Sequence, residues 1–178
     1  MPGLSGVLAG LLAVSVAASP QEAPRRLPDV PFVPTEDVVV VGMLAMAGVT
    51  AKDVVYDLGS GDGKIVIAAA KLGARGVGID INPTRIDEAN ANARAAGVSD
   101  RVTFLLGDIF DARVKIGDAT VVTLYLFEHL NIKLMPRLKT ELRPGTRIVS
   151  NSFTMGPTWP AEKSQQVGNH YIYFWVIK

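Results

Sequence analysis

The residues best suited to chemistry stand together in the stretch VVYDLGSGDGK, residues 54–64. An apolar run ends in an acidic residue, Asp57, and three glycines follow at alternate positions, Gly59, Gly61 and Gly63. A buried strand that runs into a tight glycine turn brings backbone N–H groups and a helix N-terminus close to a ligand. The carboxylate of Asp57, at the tip of that strand, can receive the cationic end of such a ligand.

Other glycine-rich loops fit this stretch less well. A dinucleotide fingerprint, GxGxxG, needs its third glycine where Lys64 stands. A phosphate-binding P-loop needs glycine in place of Leu58 and Ser or Thr in place of Ile65. The loop alone leaves open a plain strand-to-helix turn. The acid followed by GxGxG resembles motif I of the class I S-adenosylmethionine (SAM) methyltransferases, and this resemblance predicts a SAM-dependent enzyme.

Three further predicted strands also end in useful side chains. Open α/β sheets bind ligands beyond the carboxyl ends of their strands. There Asp80, followed by Ile81, can accept both ribose hydroxyls, and Asp108 can take an adenine amino group while Ile109 packs on the ring. Tyr125 ends the fourth strand, at the edge of the methyl donor. Any one aspartate alone could be a solvated loop residue or a helix cap, but carboxylates at successive strand tips predict a SAM site.

A regular alternation of predicted strands and helices positions these side chains. Strands are predicted at residues 54–58, 76–80, 101–106, 119–126, 147–153 and 170–177, and helices at residues 35–48, 64–72, 83–97 and 129–142. Thr35 is a candidate N-cap of the first helix, and Pro136 is expected to start or kink the last one. The alternation predicts right-handed βαβ units and a mostly parallel, doubly wound sheet.

Composition limits the classes of protein that remain. A chain of 178 residues, 48% of them hydrophobic, suits one well-buried domain. The formal net charge of +1 comes without a broad basic run, so a nucleic-acid partner is not expected. The chain has no cysteine, which excludes disulfides and thiol nucleophiles. The two histidines, His129 and His170, have no metal-binding spacing, and no metal centre is predicted.

The N-terminus differs from the rest. Residues 1–20 contain an uncharged apolar run, residues 4–18, which ends in a sequence like a signal-peptidase site, and the nearest basic residues follow it. Three interpretations stay open: a weak membrane anchor, a signal-like segment, and a start codon placed too far upstream. Residues 21–30 are proline-rich and are predicted to be a linker. Because SAM is a cytosolic compound, we expect a cytoplasmic protein; tethering to the inner face of the membrane and export are both left open.

A closer resemblance extends over residues 31–178. The segments PFVPTEDVVVVGML, YDLGSGDGKIVIAAA, GVGIDINPTRI and ELRPGTRIVSNSF resemble the small archaeal and bacterial protein-lysine methyltransferases. These enzymes are related to eukaryotic mitochondrial methyltransferases that modify lysines of the ATP-synthase c-subunit and the adenine nucleotide translocase. The resemblance implies one methyltransferase domain with a Rossmann-like, seven-stranded sheet and an antiparallel last strand. It also implies SAM as cofactor and a protein lysine as acceptor.

The resemblance extends the predicted cofactor site to the segment Pro31 to Thr35, which closes over SAM in this family. The alternative for this segment is a proline-rich lead into the first helix, with Thr35 only capping it. The full set of predicted cofactor contacts is Phe32, Val33, Thr35, Asp57, Gly59, Ser60, Gly61, Gly63, Asp80, Ile81, Asp108, Ile109 and Tyr125.

The acceptor side is less well defined by the sequence. After the fourth strand this chain has Phe127-Glu128-His129 where relatives often have Leu-Pro-Glu, and after the fifth it has Ser150-Asn151 where they commonly have Ser-His. Tyr125 and Glu128 are predicted to line the acceptor channel as catalytic residues, with Glu128 orienting or deprotonating the amine; a solvated loop acid is the alternative for Glu128. A small-molecule or RNA methyltransferase, and a non-catalytic SAM-binding scaffold, remain the competing functions.

Overall fold

The computed structural model describes residues 27–178, so the apolar run at residues 4–18 and the start of the predicted linker lie outside the described residues. The strands are β1 (Val54–Leu58), β2 (Arg75–Asp80), β3 (Val102–Leu106), β4 (Val121–Leu124), β5 (Arg147–Asn151), β6 (Lys163–Val167) and β7 (His170–Val176). The helices are α1 (Asp37–Met46), α2 (Lys64–Lys71), α3 (Pro83–Ala95) and α4 (Glu128–Glu141).

The strands form one seven-stranded sheet in the order β3-β2-β1-β4-β5-β7-β6. The first five strands are parallel, and β7 runs antiparallel to both β5 and β6. The chain moves outward from β1 to β3 and then returns to place β4 beside β1, which creates a crevice at the carboxyl ends of those two strands. The predicted class I methyltransferase sheet, with its antiparallel last strand, is confirmed.

The central strands are apolar because helices cover both faces of the sheet. On one face, α1 and α2 pack over β1, β4, β5 and β7, and on the other face α4 packs over the same strands through its leucines. The start of α3 is as predicted: Pro83 occupies the first turn and the Asn82 side chain accepts a hydrogen bond from the Thr84 N–H at 2.9 Å. Trp175 is fully buried, and its indole N–H donates to the Trp159 carbonyl at 3.0 Å.

Several predicted boundaries are wrong. Thr35 does not cap α1, because Glu36 holds the cap position and no side chain caps this helix. Pro136 lies inside α4, which begins at Glu128 and continues past the proline. The fourth and fifth strands end earlier than predicted, at Leu124 and Asn151.

The sequence analysis did not predict strand β6, because its residues, KSQQV, are polar and largely exposed at the edge of the sheet. A polar edge strand lacks the apolar alternation that marks a half-buried strand. Within residues 27–178, no helix combines the length and hydropathy needed to cross a lipid bilayer.

Candidate active site

A cleft of about 520 Å³ opens at the carboxyl ends of β1, β2, β3 and β4. Most of the predicted cofactor contacts line it: Phe32, Val33, Thr35, Asp57, Gly59, Ser60, Asp80, Ile81, Asp108, Ile109 and Tyr125. Gly61 and Gly63 belong to the same loop but do not line the cleft, and the predicted catalytic residue Glu128 lies outside it. The fold therefore brings the predicted cofactor residues together and leaves part of the predicted acceptor site apart.

Asp57 provides a buried carboxyl group in the wall of the cleft. The residue is 3% exposed, and the Thr123 hydroxyl donates to its Oδ1 at 2.8 Å. Burial raises the pKa of Asp57 to about 7, against the lowering effect of the Thr123 hydrogen bond, and the neighbouring Asp80 carboxylate raises it further. A cationic ligand group beside Asp57 would favour the ionised form, so this carboxyl suits an ammonium group.

The glycine loop follows Asp57 in a backbone conformation that other residues rarely adopt. Gly61 has φ +51°, and a Cβ atom there would overlap the ring of Phe32. Gly63 has φ +81°, and its Cβ would lie 2.6 Å from the ring of Phe104. These two glycines therefore let the loop pack closely against its neighbours. Their predicted contact with the cofactor stays a prediction.

Asp80 is fixed opposite this loop. Its Oδ2 accepts from the Gly61 N–H at 2.8 Å and its Oδ1 from the Asn82 N–H at 2.9 Å. Ser60, which also lines the cleft, is 6% exposed, and its hydroxyl has no hydrogen-bond partner within the described residues. An orphaned buried hydroxyl beside two oriented carboxylates fits a polar, partly cationic ligand such as SAM.

The loop after β3 forms the far end of the cleft, where Asp108, Ile109 and Phe110 line it. Asp108 Oδ1 accepts from the Phe110 N–H at 2.8 Å. Arg137 of α4 supports this loop from behind, because its guanidinium donates to the carbonyls of Ile109 and Val114. Arg137 also forms an ion pair with Glu141 at 2.7 Å, and its side chain is 11% exposed.

Residues 27–35, which we call the strap, form one wall of the cleft. The guanidinium of Arg85 lies 4.3 Å from the centre of the Phe32 ring. The Lys64 ammonium donates to the Thr35 carbonyl at 2.9 Å and pairs with Asp37 at 3.0 Å. Two cations from different helices thus hold the strap against the glycine loop.

Sequence reasoning missed part of this wall. Residues 27–30, predicted to be linker, line the cleft, and Val30 packs on the core. Lys64 and Arg85 were not singled out either, although each stands in the first turn of a helix that follows a predicted cofactor strand. A basic residue in the first turn after a cofactor strand was therefore the signal that could have identified Lys64 and Arg85 from the sequence.

Aromatic rings cluster around Tyr125 at one end of the cleft. The Tyr125 ring stacks on Phe153 at 6.4 Å and meets the His170 ring edge-on at 6.0 Å. The Phe127 ring packs edge-on against Phe153 at 5.3 Å. Sequence reasoning singled out Tyr125 but missed Phe153, in the loop after β5, and His170, at the start of β7. Only the pairing of distant strands could have revealed them.

Glu128 occupies a second, shallower hollow of about 350 Å³. It accepts a hydrogen bond from the Thr154 hydroxyl, and Tyr173 lies in the same hollow. Its predicted contact with the acceptor stays a prediction. Within residues 27–178, no group of three or more His, Asp or Glu side chains is arranged to hold a metal ion.

Known proteins resemble this chain in sequence and in structure. The family model of the ANTKMT methyltransferase domain matches residues 57–163. A protein-lysine N-methyltransferase of Saccharolobus islandicus is 44% identical over 85% of this chain and 96% of its own length. A lysine N-methyltransferase of Xenopus laevis that acts on the ATP-synthase c-subunit is 33% identical over 87% of this chain and 68% of its own length.

One solved structure is also similar. A protein of Salinibacter ruber, described as an RNA methyltransferase in complex with S-adenosyl-L-homocysteine, shares 50% sequence identity and superposes with a TM-score of 0.78. The superposition covers 82% of this chain and 94% of the other. Fold, cleft and family agree with the prediction made from the glycine loop and its carboxylates. The chain therefore belongs to the ANTKMT methyltransferase domain family and is a SAM-dependent methyltransferase.

Proposed function

We propose that this chain transfers a methyl group from SAM to the side-chain amine of a lysine in a protein. The observation that carries this proposal is the 44% identity to a protein-lysine N-methyltransferase over 96% of that enzyme's length. Agreement over nearly the whole relative includes both the cofactor cleft and the acceptor side. A shared cofactor motif alone would leave the acceptor side without support.

The described residues divide the binding of SAM among them. In this proposal Asp57 takes the amino group, Asp80 takes the ribose hydroxyls, and Asp108 with Ile109 takes the adenine ring. When bound, SAM supplies a methyl group on a sulfonium centre, which is already a strong leaving group. The work left to the protein is alignment of the acceptor and exclusion of water. The strap and the ring of Phe32 perform the second task on the open side of the cleft.

The acceptor amine must lose its proton before it can accept the methyl group. A free lysine has a pKa near 10.4, so most of it is protonated at neutral pH. The aromatic rings of Tyr125 and Phe153 provide an apolar passage with electron-rich faces, which attract an ammonium ion and also favour its neutral form by desolvation. We place Glu128 at the outer end of the acceptor surface, where it would contact the substrate protein beside the target lysine.

A second candidate function rests on one observation, the 50%-identical Salinibacter ruber structure described as an RNA methyltransferase. The charge of the chain argues against RNA, because a net charge of +1 without a basic run gives little attraction to phosphates. The two candidates differ in the acceptor and share the cofactor site. An assay of acceptors therefore separates them.

The experiment incubates the purified chain and methyl-labelled SAM with lysate proteins and with total RNA in parallel. We expect label in protein, recovered as methyl-lysine after acid hydrolysis. Asp57→Ala, which removes the buried carboxyl group, is the negative control, and the exposed Asp118→Ala, paired only with Arg143 on the surface, is its matched control. Label in RNA and none in protein would overturn the lysine proposal and favour the second candidate.

We also propose a cytoplasmic location, with residues 4–18 as a tether to the inner face of the membrane. The support is the uncharged run followed by Arg25 and Arg26, which favours keeping the following domain in the cytoplasm. Fractionation of cells that express the full chain or residues 27–178 tests this. The proposal expects the full chain in the membrane fraction and the shorter chain in the soluble fraction. Recovery of the full chain outside the cell would contradict it.

A further inference from the structure

A polar chain of hydrogen bonds stands beside the acceptor side and has no part in holding the cofactor. Its centre is Ser152, which follows β5 and has φ +64°, the one positive φ of a non-glycine residue within residues 27–178. The Ser152 hydroxyl lies 2.9 Å from Asn151 Oδ1 and 2.9 Å from His170 Nδ1. A backbone held in this sparsely populated region often marks a functional position.

The direction of these hydrogen bonds determines which nitrogen of His170 carries a proton. A hydroxyl group has one proton, and Ser152 donates it to the amide oxygen of Asn151. With the Asn151 oxygen facing Ser152, as the structure has it, the bond between Ser152 and His170 is donated by Nδ1–H of the imidazole. Nε2 of His170 is left with its lone pair, which can accept a proton.

His170 is also placed where an acceptor amine would arrive. Asn151 pairs with Ile172 across β5 and β7, so Asn151 and His170, two residues before Ile172, lie on the same face of the sheet. The edge of the His170 ring meets Tyr125, which lines the cleft. The side chain is 21% exposed, so a substrate group can reach it.

One carboxylate faces the Nε2 side of this imidazole. Glu36 Oε1 lies 3.9 Å from His170 Nε2, and Glu36 follows directly on the strap residue Thr35. The titratable groups that the structure places against the imidazole are thus Glu36, ahead of α1, and Tyr125, just after β4.

We propose that His170 removes the proton from the acceptor lysine. This inference rests on the proposed function and adds the base for it. One N–H bond of the lysine ammonium breaks, its proton forms the Nε2–H bond of His170, and the electron pair stays on the lysine nitrogen, which then accepts the methyl group. The proton leaves for solvent through the exposed edge of the imidazole. Ser152 and Asn151 are positioning residues that hold the Nδ1 side of the imidazole.

Kinetics of the full chain test this assignment. His170→Gln keeps a polar amide but cannot act as a base near neutral pH, and His129→Gln, at an exposed position of α4, is the matched control. The acceptor is the protein most strongly labelled in the lysate assay. At pH 7, we expect kcat to fall about 100-fold in His170→Gln, within the range typical of general-base catalysis, and to stay within about twofold in His129→Gln. SAM affinity, measured by calorimetry, should be unchanged in both.

The pH profile separates a base from a merely structural residue. In His170→Gln the rate should keep rising up to about pH 9.5, because the lysine then loses its proton without help, while the wild-type rate levels off earlier. Ser152→Ala, which retains a Cβ at the same φ, should lower kcat about tenfold and serves as the second variant if His170→Gln does not fold. Parallel pH profiles in wild type and His170→Gln would overturn the inference.

Nuclear magnetic resonance gives a readout that does not depend on turnover. The chain has two histidines, so His129→Gln assigns both imidazole signals. Butylamine, as a mimic of the lysine side chain, should shift the His170 signal and leave the His129 signal in place. Methyl-lysine formed at the wild-type rate by His170→Gln would overturn the inference alone. Label in RNA and none in protein would overturn the proposed function, and the inference with it.

Discussion

The cofactor half of the site and the acceptor half that we propose, around Tyr125, are built in different ways. In the cofactor half, Asp57, Asp80 and Asp108 each stand at or just beyond the end of a parallel strand, and each belongs to a short motif that contains its own turn. In the acceptor half, Tyr125, Phe153 and His170 come from three separate parts of the chain. Tyr125 meets Phe153 because β4 pairs with β5, and His170 joins them because β7 pairs with β5 on the other side.

The direction of β7 explains why the acceptor half is hard to read from a sequence. Parallel strands present their last residues at the ligand-binding edge of the sheet. Because β7 is antiparallel to β5, it presents its first residue, His170, at that edge. A search of the carboxyl end of every strand therefore finds the cofactor residues. It overlooks His170, because this residue stands at the amino end of its strand.

The largest effect is expected at Asp57, which should affect the cofactor half alone. Asp57→Asn keeps an oxygen that can accept from Thr123 but removes the charge, so SAM affinity should fall at least about 100-fold, the usual cost of losing a buried ionic partner. Asp118→Asn, at an exposed surface pair, should bind SAM as the wild type does. Calorimetry measures both. Equal affinities in the two variants would mean that Asp57 does not hold the cationic end of the ligand.

The pH dependence of SAM binding follows from the same carboxyl group. With the pKa of Asp57 at about 7 in the free protein, the ionised form that pairs with an ammonium group is the minority below pH 7. SAM affinity should therefore weaken about tenfold per pH unit below that value and level off above it. Titration calorimetry between about pH 5.5 and 8.5 measures this, and Asp57→Asn should show a flat profile.

The free protein should show the opposite trend in stability. The pKa of Asp57 is raised above its ordinary value of 3.8, so the folded state binds more protons than the unfolded state between about pH 4 and 7. The free energy of unfolding should fall across this window by an amount on the order of 4 kcal/mol. Denaturant titrations at about pH 5 and 8 measure it. Asp57→Asn should be more stable than the wild type at the higher pH.

A smaller loss of SAM affinity is expected when a single methyl group is added to the glycine loop. Gly61→Ala would place a Cβ atom against the Phe32 ring and push the strap away, so SAM affinity should fall about 30-fold. Gly97→Ala is the matched control, because Gly97 also has a positive φ, +69°, but has no atom within 4 Å of the added Cβ. Both variants should lose about 1 kcal/mol of stability from backbone strain. Equal SAM affinity in the two would contradict the close packing of strap and loop.

Arg137 should affect cofactor binding from outside the cleft. Arg137→Met keeps the length of the side chain but releases the carbonyls of Ile109 and Val114, so the loop after β3 should loosen and SAM affinity should fall about tenfold. Arg143→Met removes an exposed ion pair and serves as the control. Faster hydrogen exchange confined to residues 107–118 would identify the loop as the cause. Unchanged exchange there would contradict the argument.

The smallest effect on the kinetics is expected from a substitution of Glu128, on the acceptor half. Glu128→Gln can still accept from Thr154, and the residue lies outside the cleft, so KM for the acceptor protein should rise about threefold with kcat and SAM affinity unchanged. Steady-state kinetics with the labelled acceptor measure this. A large fall in kcat with an unchanged KM would instead make Glu128 the base and displace His170 from that role.

Features of the fold and the site that neighbouring residues in the sequence determine could be predicted, and features that distant contacts determine could not. The strand tips and the glycine loop were predictable because each motif carries its own turn and its own carboxylate. The predicted cap of α1 was wrong by one position, because the helix begins after Glu36 while Thr35 is still part of the cleft wall, where its carbonyl accepts from Lys64. Strand β6 was not located because an exposed, polar edge has no apolar period. His170 could not be assigned because its neighbours are set by strand pairing.

The first described residues lie at the carboxyl ends of the parallel strands, and the last residues lie at their amino ends. Residues 27–30 form part of the wall of the cleft, whereas Ile177 bonds to Thr146 and Gly145 at the edge where the parallel strands begin. An affinity tag or linker joined directly to Leu27 in place of residues 1–26 would begin at the wall of the cleft and so lie close to the cofactor site. The same addition after Lys178 would leave it untouched, which makes the carboxyl terminus the appropriate handle for biochemical work.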